Sequence, residues 1–217
     1  MEDKLKDDKL RYTILLNARN NIIKMLNYRG YDTSKILNLS EKELEVFDEL
    51  VKKKINSFDI STNLINQPSE NIMVQFLFKR TNEKKIEEDI IKFFSEQKDP
   101  SKSVLIFIIM YKDNDNILQN KAYQIYQIYK YFTQIFSINN LQQNIIDHSF
   151  VPKHILLSSD EEESILNDYN LDTKRKLPYI TKHDPVAKYI GMKPGNICKI
   201  IRPSETSGEY ISYRYCI

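Results

Sequence analysis

Residues 150–217 read FVPKHILLSSDEEESILNDYNLDTKRKLPYITKHDPVAKYIGMKPGNICKIIRPSETSGEYISYRYCI. This stretch holds three of the chain's four glycines, so most elements have a visible edge. Val151 to Leu157 reads as a short strand, with Pro152 at its entry, where a missing N–H costs least. Ser159 with Glu162 has capping-box spacing, and the acids around it sit where a helix dipole favours negative charge. Ile165, Leu166 and Tyr169 supply that helix's apolar stripe, and Asn170 its stop. Leu177 to Ile180 is a second extended run. Asp184-Pro185 opens another helix, as N-cap and first helical residue, and Gly191 closes it. Lys193-Pro194-Gly195-Asn196 has the Pro-Gly centre of a type II turn. Ile197 to Arg202 is a strand, Pro203 to Gly208 a loop, and Glu209 to Ile217 a last strand. There Ile211, Tyr213, Tyr215 and Ile217 alternate with Tyr210, Ser212, Arg214 and Cys216. The sum is a small two-layer α/β unit.

The segment resembles the C-terminal assembly domain of the fifth subunit of eukaryotic-type DNA-dependent RNA polymerases, a family with a shorter archaeal counterpart. The resemblance rests on Val151-Pro152-Lys153-His154, Leu157-Ser158, Asp184-Pro185-Val186-Ala187 with Tyr189 and Gly191, Pro194-Gly195, Lys199-Ile200-Ile201-Arg202, Ser204-Glu205-Thr206-Ser207-Gly208 and Tyr213-Arg214. They occur in the family's order and spacing.

Toward the N-terminus, Leu15, Ala18, Ile22, Met25 and Leu26 recur at helical spacing, and Arg29-Gly30-Tyr31-Asp32 closes that helix. A helix ending in Arg-Gly-Tyr is similar to the eukaryotic form of the family and absent from the short archaeal one. Ser40 with Glu43 opens a helix from Glu41 to Ile55. Ser57 to Glu70 is polar and reads as a loop. Ile72 to Phe78 is a strand, Lys79 to Lys85 a charged turn, and Ile86 to Phe94 a helix with Ile86, Ile90, Ile91 and Phe94 on one face. Val104 to Tyr111 is a continuous apolar run of strand length, which calls for helices on both faces of its sheet. Lys112 to Asn116 is a polar loop, Lys121 to Tyr131 a helix, Thr133 to Ile138 a strand, and Leu141 to Phe150 a bridge. Helices and buried strands in alternation make residues 1–143 an α/β domain, with 144–217 as the assembly domain. The whole is therefore α/β and α+β. The family's N-terminal jaw is itself α/β, restriction-endonuclease-like in fold.

Composition narrows the function. Lys+Arg 32 against Asp+Glu 30 leaves +2, so no global field steers the chain to nucleic acid. No apolar run approaches the ~20 residues of a membrane span, and the charged start MEDKLKDDKL has no signal-peptide core. Two cysteines, Cys198 and Cys216, do not make a disulfide scaffold and read as buried thiols in a reducing compartment. His148, His154 and His183 lack the spacing of a zinc site. Four scattered glycines exclude a dinucleotide fingerprint or a P-loop. Glu83-Lys84-Lys85 has a nuclease-like Glu-x-Lys spacing, but it lies in a charged turn and the strand before it carries no acid. Of three basic clusters, Lys52-Lys53-Lys54, Lys79-Arg80 with Lys84-Lys85, and Lys174-Arg175-Lys176, two read as solvated faces.

The resemblance implies a non-catalytic subunit without cofactor or metal, anchored to the largest polymerase subunit by its C-terminal domain. The N-terminal domain would form part of the lower jaw around downstream duplex DNA. Transcription factors are a further class of partner; a membrane or a second copy of the chain is not expected. The family carries Thr-Pro-Ser-Ala in the loop after the buried strand. Here that loop runs Lys112-Asp113-Asn114-Asp115-Asn116, so the signature is missing, and Lys112, Asn114, Asn116 and Lys121 are the groups able to reach phosphates. His154, Arg202, Glu205, Thr206, Tyr213 and Arg214 are the expected subunit interface. The alternative for Arg202, Glu205 and Arg214 is internal salt bridging. A cellular chain belongs in the nucleus, a viral one in the virion and host cytoplasm; the divergent jaw and AT-rich residue usage lean toward the virus. Two other functions stand beside this one: a stand-alone nucleic-acid-processing enzyme working through Glu83, and a regulator that mimics the subunit outside the polymerase.

Overall fold

The computed structural model describes residues 2–36, 58–110, 115–206 and 208–217, and the chain falls into two units, Met1–Gln143 and Asn144–Ile217. Helix α1 (Glu2–Tyr28) opens the first. Its apolar positions Leu15, Ala18, Ile22, Met25 and Leu26 are buried, as their spacing predicts. Gly30 ends it at φ 86, and Tyr31 N–H returns to the Leu26 carbonyl at 3.0 Å. The expected helix from Glu41 to Ile55, its Ser40–Glu43 cap and Lys52-Lys53-Lys54 lie outside the described residues.

Four strands of this unit form one sheet in chain order: β1 (Ile60–Asn63), β2 (Asn71–Leu77), β3 (Ser103–Ile109) and β4 (Phe132–Ser137). β1 pairs antiparallel with β2, from Ile60↔Val74 to Asn63↔Asn71, where the sequence reads as a loop. The reason is physical. β1 buries only Ile60, so its strand character comes from the partner's ladder rather than from its own apolar pattern. Beyond Ile60, the Asp59 carboxylate takes over the ladder and accepts the Phe76 N–H at 3.0 Å.

β2, β3 and β4 run parallel, joined by helices α2 (Glu83–Ser95) and α3 (Asp115–Tyr129). Each crossover returns its helix to the same face. Ile86, Ile90 and Phe94 of α2 and Leu118, Ala122 and Ile125 of α3 pack there on Leu105, Phe107, Ile109 and Ile135. Ile91 stays exposed, one position off the stripe assigned to it. The opposite face meets the α1 region: Arg29 donates to Gln134 at 2.8 Å, and Asn21 to the Leu141 carbonyl at 2.8 Å. Every residue of β3 is buried, which is why it is one apolar run from Val104 to Ile109 after the buried Ser103. Asn82 caps α2 through its side chain, so Glu83 to Lys85 are helical rather than part of the charged turn. Asn116 likewise belongs to α3 and not to a loop.

The second unit has β5 (Lys153–Leu156), α4 (Ser159–Asp168), β6 (Tyr179–Ile180), α5 (Pro185–Tyr189), β7 (Ile197–Ser204) and β8 (Gly208–Cys216). Its strand order is β5-β7-β8-β6; β7 pairs antiparallel with β5 and β8, and β6 runs parallel to β8. The capping box of α4 is Ser158 with Glu161, one residue earlier than expected. Both spacings exist in Ser-Ser-Asp-Glu-Glu, and burial of Glu162 selects the register. Asp184 caps α5 by accepting from Val186 and Ala187 N–H at 2.8 and 3.1 Å. Among the described residues, no helix is long and apolar enough to cross a membrane.

Candidate functional site

The β7–β8 hairpin is the longest paired ribbon of the second unit, from Ile197↔Tyr215 out to Ser204↔Gly208. The strands run further than the loop assigned to Pro203–Gly208 allows, so the turn shrinks to its tip. Gly208 takes φ 73 there, a conformation that strains any residue with a Cβ. The hairpin has two halves. Ile197, Cys198, Ile200 and Cys216 in its inner half are buried. On one face, Ile197 joins Leu157 and Leu177, with Ile165, Leu171, Tyr213 and Tyr215 packed around them. In its outer half Arg202, Pro203, Glu205, Thr206, Glu209, Tyr210 and Ile211 are exposed; Tyr210 is 58% and Ile211 40% accessible.

Of the six residues expected at an interface, five are divided between these halves and the sixth, His154, lies on β5. His154 is buried in β5 opposite Ile200, with Nδ1 2.7 Å from the Pro152 carbonyl. It is held inside the fold. Tyr213 is half-buried, edge-on to Tyr169, and burial raises its phenol pKa. Arg214 is half-buried and donates to the Tyr179 carbonyl at 3.0 Å, tying β8 to β6. Thr206 Oγ1 lies 3.3 Å from Ser204 Oγ across the tip. Arg202 and Glu205 are exposed, and among the described residues neither side chain has a hydrogen-bond or ion-pair partner. No ion pair joins Glu205 to either arginine. Arg202 and Arg214 share a sheet face but are opposite Tyr210 and Cys198, four β7 positions apart. That is roughly 13 Å at a strand's rise, too far for one fork.

In the first unit, Lys112 and Asn114 lie outside the described residues. Asn116 is exposed in the first turn of α3. Lys121, about a turn further, is half-buried in an ion pair with Glu87 of α2 at 2.7 Å. It braces two helices, and its charge is partly neutralised. The two basic runs within the described residues each have lysines in ion pairs. Lys85 pairs with Asp89 at 2.8 Å and Lys176 with Asp172 at 2.5 Å. Lys174 pairs with Glu162.

Glu162 is the residue that sequence reasoning misread. It is 4% exposed and accepts from Lys174 Nζ and from the Ile197 N–H at 2.6 Å. One carboxylate thus joins α4, the turn Lys174–Lys176 and the start of β7, a charge satisfied where water is excluded. The signal was present in the apolar spacing of α4: Glu162 lies three residues before Ile165 and four before Leu166, on the packed side.

Among the described residues, no group of three His, Cys, Asp or Glu could hold a metal. Glu83 stands alone in the first turn of α2. Cys198 and Cys216 are buried free thiols, each pushed up to about 11, chiefly by burial. His183 is lowered by burial and by neighbouring Lys182 and Lys188.

The model of the family described as "RNA polymerase Rpb5, C-terminal domain" matches residues 143–216. A Dictyostelium discoideum protein named DNA-directed RNA polymerases I, II, and III subunit rpabc1 is 30% identical over 203 residues, covering 94% of this chain and 97% of its own length. The Caenorhabditis elegans protein of the corresponding name is 27% identical over 241 aligned positions, covering 98% of this chain and all of its own. A Caenorhabditis briggsae counterpart is 42% identical over 88 residues, 41% of either chain.

Proposed function

The chain belongs to the family of the fifth subunit of eukaryotic-type DNA-directed RNA polymerases, and we infer from this that it is a non-catalytic subunit of such a polymerase, acting in transcription. The observation that carries the reading is a match that runs nearly end to end in both chains and continues through the jaw unit. The chain assembles with the remaining polymerase subunits and contributes no active site of its own. Its C-terminal unit anchors to the largest subunit. The outer half of the β7–β8 hairpin supports this role, because exposed Arg202 and Glu205 are not satisfied by the fold. Planar guanidinium groups are suited to carboxylates on a second chain. The N-terminal unit forms part of the lower jaw beside downstream DNA. Exposed Asn116 fits a phosphate contact there, with Lys112 and Asn114 on the preceding segment. Transcription factors can meet the same jaw. In a cell this work is nuclear; in a virus it belongs to the virion and host cytoplasm. No geometric observation favours the stand-alone nuclease.

The test is a mild pull-down of tagged chain from its native source. Two very large polymerase subunits at equal stoichiometry are the expected result, and their identity separates a cellular from a viral enzyme. Recovery of the chain alone, under conditions that keep polymerases intact, overturns the assignment.

A further inference from the structure

The two long edges of the β7–β8 ribbon are finished differently. Leu157 N–H donates to the Ile197 carbonyl, so odd-numbered β7 residues face β5. The pairing with β5 stops at Ile201, and the next odd position is Pro203. Proline has no N–H to offer an incoming strand, so that edge is closed. On the other side, Tyr215 N–H donates to the Pro178 carbonyl, which directs odd-numbered β8 residues away from β7. β6 covers only Tyr215 and Cys216. Further out, the backbone N–H groups of Ile211 and Tyr213 point along the same edge, with no partner among the described residues.

Apart from the charge of Glu209 at its outer end, this second edge lacks the usual protection. Glu209-Tyr210-Ile211-Ser212-Tyr213 carries no proline and no lysine, the devices by which exposed strands normally avoid pairing. Its side chains alternate Tyr210 on one face and Ile211 on the other, both exposed. The neighbouring strand presents Arg202, directly across from Tyr210, without a carboxylate.

We propose that the β8 edge Glu209–Tyr213 is a strand-addition site, and that its occupant is an extended segment of another polymerase subunit. The occupant continues the sheet outward from β6, covers Ile211 with an apolar side chain and brings a carboxylate to Arg202. Main-chain hydrogen bonds supply affinity, and the Tyr210/Ile211 alternation sets the register. This rests on the polymerase reading above, and adds the mode of docking to it.

Hydrogen exchange, read by mass spectrometry with residue-level fragmentation, tests it on the full chain, free and within the purified polymerase. The amides of Ile211 and Tyr213 exchange rapidly in the free chain and at least ~100-fold more slowly in the polymerase. The Ser212 amide, already in the β7 ladder, changes less. Unchanged rates at Ile211 and Tyr213 in a polymerase that contains the chain overturn strand addition and leave the polymerase reading standing. If no polymerase contains the chain, both fall. Protection in the free chain that grows with concentration, together with a dimer mass, assigns the edge to a second copy and also overturns the proposal. As a second arm, Ile211→Pro removes an outward N–H without touching the β7 ladder. It lowers recovery of the large subunits at least ~10-fold while the circular dichroism of the free chain is retained. Full recovery overturns strand addition.

Discussion

Strands β3 and β8 are both central to their sheets, yet β3 is buried at all seven positions and β8 only at Cys216. β3 is enclosed by parallel neighbours and by helices returned over it; its own chain completes its environment. β8 is half of a ribbon that leaves the sheet at about Ile211, and its outer residues meet solvent in the isolated chain. The contrast separates two uses of a strand. One stabilises the fold that contains it, and the other displays side chains and backbone to a second molecule.

Substitutions should therefore divide by position. The largest effect is expected in β3: Phe107→Ala opens a cavity in a fully buried site and costs about 3–5 kcal/mol in urea unfolding of the first unit. Tyr210→Ala on β8 changes stability by less than about 0.5 kcal/mol. Equal costs at the two sites would break the comparison.

Glu162→Ala sharpens it by showing where the second unit holds itself together. Removal of the carboxylate strands the buried Ile197 N–H and takes the ion pair from Lys174, which keeps only the Gly195 carbonyl at 3.4 Å and water, at about 2–4 kcal/mol, measured by denaturation. A loss below about 1 kcal/mol would mean that water replaces it.

Asp59 supplies a smaller, pH-dependent effect. Burial pushes its carboxyl up to about 6, against the Phe76 hydrogen bond that lowers it. Below the unfolded value near 4 both states are protonated and the group is neutral in its effect. As pH rises toward 6 the unfolded chain releases the proton first, so stability falls and stays lower above 6. Asp59→Asn is expected to raise stability at pH 7 by about 1–2 kcal/mol once solvent screening is allowed for, and to have no such effect at pH 4. The two thiols behave with the same sign at the alkaline end. With folded values of about 11, Cys198 and Cys216 remain protonated and unreactive to iodoacetamide at pH 8 unless the chain unfolds.

The smallest change in stability belongs to the outer hairpin. Arg202→Glu and Glu205→Lys alter unfolding by less than about 0.5 kcal/mol, since neither side chain has a partner to lose among the described residues. The same substitutions are expected to impair incorporation into polymerase. Wild-type recovery of the large subunits with both would remove these residues from the interface.

Some features of the chain are decided locally and can be read without coordinates. The apolar stripe of α1, the unbroken run of β3, the Asp184-Pro185 helix start and the Pro194-Gly195 turn depend on residues that are neighbours in sequence, and spacing alone reports them. The ordered signature from Val151 to Arg214 likewise pointed to the polymerase family. Other features required partners far along the chain. β1 is a strand only because β2 lies beside it, and nothing in Ile60-Ser61-Thr62-Asn63 demands one. Lys121 looks like a free cation until Glu87, on a different helix, is placed 2.7 Å away. Glu162 looks like part of an N-terminal cap until Lys174 and Ile197 arrive. The open β8 edge is legible only once β6 is seen to begin at Tyr179, opposite Tyr215, leaving the strand uncovered further out, while Pro203 closes the other side of the ribbon. Local geometry follows from local sequence, whereas charge pairing and edge exposure follow from which segments are folded against one another. That depends on long-range packing, which a periodicity cannot encode.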